Sequence, residues 1–256
     1  MGVVEINIAQ FALIYLLLLV VLFIMKKSRI NQSKLLLIAS FRMTVQLVLA
    51  GLVLTYILEN PHPLFTVAYI IAMTGFATIR VLNQNKELNK KFKLAIGLSL
   101  AGAGTLIVFF FVQIVVGMDF FNPQYTIPLS GMIFGNAMTG LSLALKSFNE
   151  NLKAQRSRVE SLLYLGVTPK KILLPFVNNA LETALLPTMN RMMGMGIISL
   201  PGMMTGQILS GTLPMTAILY QIAIMIAITA VVCLAVFAAL IFGYKTLYND
   251  RNQITI

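Results

Sequence analysis

The sequence predicts an all-α, polytopic membrane protein with about seven transmembrane helices, N-terminus outside and C-terminus cytoplasmic. Three observations predict it. Of 256 residues, 58% are hydrophobic and only 11% charged, less than half the charge of an ordinary soluble domain. Apolar runs recur at close to bilayer length and lack the alternation of barrel strands. The basic residues gather at the ends of those runs, on one side only.

Residues 8–25 form the first expected span. No Lys or Arg precedes it, and Lys26, Lys27 and Arg29 follow directly. A secretory signal carries its positive charge before the apolar core, so this run reads as a retained helix. Residues 35–58 form the second, with Arg42 about two turns inside. That Arg either snorkels or meets a partner, or residues 33–42 lie at the interface and the span starts near Met43. A turn at Asn60, Pro61, His62 and Pro63 leads to the third span, 64–79, closed by Arg80. A polar loop with four lysines and Glu87 precedes the fourth, 94–116, where Gly97, Ala101, Gly102 and Gly104 permit close helix contact. The fifth, 126–145, carries Gly131, Gly135 and Asn136.

From Lys146 to Lys171 the chain turns polar and basic. Leu145, Phe148, Leu152, Val159 and Leu162 keep a helical spacing that lapses near Gln155, so the fifth helix is expected to run on as an amphipathic rod. Leu173, Phe176, Val177, Ala180, Leu181 and Ala184 then form an apolar stripe, expected to lie at the interface or under the bundle. Residues 146–190 together form the expected cytoplasmic coupling segment of one permease domain, 1–256. Residues 192–211 and 215–243 are the sixth and seventh expected spans.

The charges test this count. The exterior segments hold Glu5, Glu59, His62 and Asp119, while all 19 Lys and Arg fall on the cytoplasmic side or at inner helix ends. Making residues 172–187 an eighth span would put Lys245 and Arg251 outside. The same distribution makes the net charge of +11 a membrane-flanking feature and argues against nucleic-acid binding. Cys233 and His62 are each the only residue of their type, which removes disulfide frameworks and the usual metal motifs.

The strongest functional signal is Glu160-Ser161-Leu162 followed by Gly166, Val167, Thr168 and Pro169. A helix stopped by Gly and fixed by Pro makes a stiff lever. The motif resembles the cytoplasmic loop signature of ABC-transporter permeases. Pro128-Leu129-Ser130-Gly131-Met132, Gly135-Asn136-Ala137-Met138, Leu200-Pro201-Gly202-Met203-Met204 and Tyr220-Gln221-Ile222 extend the resemblance over nearly the whole chain. Their order is typical of FetB-like permeases, which are linked to iron export and similar to a plant aluminium-tolerance permease. The resemblance implies a homodimer in the plasma membrane, working with two copies of a separate ABC ATPase that uses ATP and Mg. No cofactor is expected on this chain. It also implies ATPase-coupling roles for Glu160, Gly166, Thr168 and Pro169. The chain lacks a G-x-x-x-x-G-K-[ST] loop, so it is not itself the ATPase.

The expected translocation path comprises Asn136, Met138, Ser199, Met203, Met204 and Gln207, placed on two spans that Gly and Pro bring close. Thioethers favour soft ions and suit free ferrous iron poorly, so iron would travel chelated or be carried by other groups. Arg42, Glu182 and Arg191 are the other ionisable groups near membrane depth and form a candidate gate. An organic or sugar-nucleotide cargo, and a channel or carrier without an ATPase, stay open as alternatives. An intramembrane enzyme does not, for want of a catalytic set.

Overall fold

Short polar turns and prolines decide where the helices begin. In the computed structural model, which describes residues 7–249, His62 Nδ1 accepts from the Leu64 amide at 3.2 Å and opens α3, Pro63–Gln84. Asn89 Oδ1 accepts from Phe92 N at 2.7 Å and opens α4, Lys90–Phe109, which continues as a π-helix, Phe110–Val116. Asn122 caps α5, Pro123–Ala154, through Gln124 N at 3.0 Å. Each cap satisfies one orphan amide of its helix's first turn. Before them come α1, Ile8–Lys27, and α2, Ser33–Glu59; after them α6, Arg156–Tyr164, α7, Pro169–Gly194, α8, Gly202–Leu209, and α9, Pro214–Tyr244. No strand is present among the described residues.

The fold is all-α and polytopic: α1, α2, α3, α4 with its π extension, α5 and α9 are long and apolar enough to cross a membrane. The lapse near Gln155 is a real break, separating α5 from α6. Glu5 and Arg251, which entered the charge argument, lie outside the described residues.

The core is a packed set of α3, α4, α5, α7 and α9, with α9 against both α4 and α5. Glycines set the closest approaches. A Cβ on Gly243 would stand 2.0 Å from the Phe92 ring, and one on Gly104 would stand 2.1 Å from Phe134. Both rings are buried. Gly243→Ala, normally a gain in a helix, is therefore expected to cost about 1–3 kcal/mol through overpacking. A lowered thermal midpoint in detergent checks it. By contrast, α1 and α2 pair with each other, Tyr15 Oη to Thr44 Oγ1 at 2.5 Å, and expose nearly all their apolar surface, as lipid-facing helices do.

The structure corrects the sixth span. Residues 192–211 are not one helix: α7 ends at Gly194, residues 195–201 are irregular, and α8 has only 8 residues. Gly196 at φ +84° and Pro201 break the run, which has the composition of a span but not its backbone. The stripe at 172–187 is likewise not a separate layer under the bundle. It belongs to the 26-residue α7, which packs between α5 and α9. Ser147 of α5 meets Asn179 and Thr183, while Asn136 meets Arg191, so α7 climbs antiparallel to α5. Helices α5 and α9 run parallel, since Phe92 at the start of α4 meets both Phe148 near the end of α5 and Gly243 near the end of α9. The chain between them must return across the bundle. It does so through α7, the break and α8.

Candidate functional site along α5, α6, α7 and α8

Helix length creates the first candidate surface. The 32 residues of α5 make a rod of about 48 Å, against a hydrocarbon layer of about 30 Å. Its excess carries α6 beyond the basic end of the bundle. Val159 is buried, and Leu162 and Leu163 pack on the core, which fixes α6 to the helices it joins. The cap is tight: Gly166 at φ +77° donates to Leu163 O at 3.0 Å, and Val167 N donates to Leu162 O at 3.0 Å.

Of the expected coupling residues, Glu160, Gly166 and Thr168 are exposed around this elbow, and Pro169 is buried as the first residue of α7. Glu160 pairs with Arg156 at 2.9 Å. Both groups are exposed, so the pair contributes at most about 1 kcal/mol. The sequence reading missed Tyr164 and Leu165, 91% and 78% exposed at the tip. The available signal was two large apolar residues directly before the capping glycine. A second tie braces the region: Lys153 Nζ lies 2.6 Å from Glu87 Oε2. The hydrogen bond from Lys153, then its charge, holds the Glu87 carboxyl below the usual carboxylate range. The tie is present at neutral pH and is lost as pH falls through that lowered value.

The expected path residues divide into two groups. Asn136 lies about 20 Å along α5 from Pro123, within membrane depth. Its Nδ2 donates to Met132 O at 2.8 Å, and its Oδ1 accepts from Arg191 Nη2 at 3.1 Å. Met138 is half-buried against the core. On α8, Met204 is buried, while Met203 and Gln207 are half-buried and Ser199 is exposed in the break before it. α8 packs mainly on α9 rather than on α5, the helix that carries Met138.

The sequence reading also missed what the break faces. Gln221 of α9 is 4% exposed, its Nε2 reaches Met195 Sδ at 3.8 Å, and its Oε1 has no partner. Gln207 Oε1 is buried without a partner as well. Thr229 Oγ1 donates to Met225 O at 2.8 Å and lies 3.4 Å from Met192 Sδ. Unpartnered amide oxygens beside irregular backbone at membrane depth are what a polar path needs and what lipid-facing packing avoids.

The candidate gate residues stand apart. Arg42 lies over the Phe76 ring at 5.5 Å, Arg191 is held by Asn136, and Glu182 is exposed. None of the three joins an ion pair among the described residues. Arg191 lies in the last turn of α7, and its exposed guanidinium meets Asn136 of α5. No group of three His, Cys, Asp or Glu is assembled among the described residues.

Comparison with known proteins fits this architecture. The profile of the uncharacterised protein family UPF0014 matches residues 8–248. A UPF0014 membrane protein of Synechocystis, slr1647, is 33% identical over 234 residues, 89% of this chain and 88% of that protein. The probable iron export permease protein FetB of Escherichia coli is 29% identical over 245 residues, 96% of this chain and 93% of that protein. Protein ALUMINUM SENSITIVE 3 of Arabidopsis thaliana is 34% identical over 187 residues, 72% of this chain and 66% of that protein. No solved structure matches.

Proposed function

The chain belongs to the UPF0014 family of membrane proteins, and we propose that it is the permease subunit of an ABC transporter. Residues 1–256 act as one permease domain in the plasma membrane, with α6 on the cytoplasmic side, where the basic residues gather. Two copies work with two copies of a separate ATPase, which uses ATP and Mg. The chain itself is non-catalytic. Iron or another metal, carried outward in chelated form, is the cargo suggested by the name of the Escherichia coli relative.

The α6 elbow carries this reading. It projects past the bilayer, is joined through α5 and α7 to both walls of the candidate path, and presents an apolar pair with nothing to cover it. A lever so fixed transmits a push from a cytoplasmic protein to the Asn136–Arg191 level and to the break beyond it. The broken crossing suits a path, since interrupted helices place free backbone groups at membrane depth.

Mild-detergent purification of the tagged chain from its own membranes tests the partnership. A subunit with a phosphate-binding loop is expected to come through with it in equal amount. Tyr164→Asp combined with Leu165→Asp should lose that subunit by more than about tenfold, as removal of a buried apolar anchor does. Retention of the subunit by the double variant would remove α6 as the contact.

A further inference from the structure

Arg191 holds two neutral acceptors and no carboxylate. Its Nη2 donates to Asn136 Oδ1 at 3.1 Å and its Nε to Pro187 O at 3.3 Å, which leaves donors of the guanidinium fork open on an exposed side chain. The acidic residues lie elsewhere. Glu87, Glu150 and Glu160 pair with Lys153, Lys146 and Arg156 at the basic end. Glu59 ends α2 and Asp119 precedes α5 at the opposite end. Glu182 stands about 13 Å along α7 and half a turn round the helix from Arg191. Among the described residues, then, nothing neutralises this cation at membrane depth. The neighbouring groups are neutral amides, hydroxyls and thioethers, and no cluster of His, Cys or carboxylates is assembled to replace the hydration of a bare metal ion.

We infer that Arg191, oriented by Asn136, is an oxyanion-binding site, and that the cargo crosses this chain as a carboxylate- or phosphate-bearing anion. A planar fork with open donors matches the two oxygens of such a group, and the same charge repels a free divalent cation. Asn136 accepts one N–H and turns the rest of the fork outward, so its role is positioning. A metal can still be carried, but inside an anionic complex. The inference rests on the reading that α5 and α7 wall the path, and it needs no ATPase.

Binding of labelled citrate, labelled iron(III) citrate and pyrophosphate to the full chain in lipid nanodiscs tests it. Wild-type protein is expected to bind citrate or pyrophosphate, and Arg191→Gln to weaken that binding by about tenfold or more. Arg191→Lys keeps the charge without the fork and should fall between the two. Equal affinity for citrate with and without iron identifies a metal-free anion as sufficient, and preference for the iron form identifies the complex as cargo. No binding of any of these anions by wild type, or unchanged affinity in a monodisperse Arg191→Gln variant, would overturn the inference. Because the assay contains no ATPase, such a failure leaves the proposed partnership to the copurification experiment.

Discussion

Gly166→Pro is expected to leave the chain inserted in the membrane while abolishing its stimulation of the partner's ATP hydrolysis. The position has φ +77°, and proline holds φ near −65°. The substitution also removes the amide that donates to Leu163 O. Both effects act on the turn between α6 and α7, outside the packed core, where a Cβ meets nothing within 4 Å. The bundle keeps its contacts and the tip loses its direction. Stimulated ATPase activity should fall to the basal rate, with normal yield and a normal thermal midpoint. Full stimulation in the variant would reduce the elbow to a surface turn.

Gln221→Leu is expected to separate stability from function. The Gln221 carbonyl oxygen is buried without a partner, a condition that costs about 1–3 kcal/mol. Leucine fills a similar volume with no polar atom, so the thermal midpoint should rise. The same change removes the donor to Met195 at the break and the free oxygen facing it. Transport in vesicles should fall to background if the break lies on the path. A variant that is both stabler and fully active would place Gln221 outside it.

The sequence read most of the membrane helices well because their apolar composition follows from the solvent they cross. The runs at 8–25, 35–58, 64–79, 94–116, 126–145 and 215–243 each correspond to a helix. Composition misled where the solvent is not lipid. Residues 192–211 carry no charge, yet Gly194, Gly196 and Pro201 make their backbone irregular. The charge count places the stripe of α7 at the interface or under the bundle, whereas the helix packs between α5 and α9. Asn179 and Thr183 are satisfied by Ser147 and Asn151, and Arg191 by Asn136, all on α5. Such polar pairing between residues 28 to 55 positions apart leaves no periodic trace in one sequence. The elbow was legible because Gly166 and Pro169 act locally. The exposed Tyr164 and Leu165 were not, since helical spacing alone does not show which apolar residues go uncovered.

The central claim is that this chain moves cargo with energy supplied through its α6 elbow. Uptake of iron(III) citrate into inside-out vesicles, with the chain and its copurifying ATPase reconstituted together, tests it most directly. The account predicts accumulation that needs ATP, fails with a non-hydrolysable analogue and disappears in Gly166→Pro. Accumulation at the same rate without ATP, or without the ATPase subunit, would contradict it.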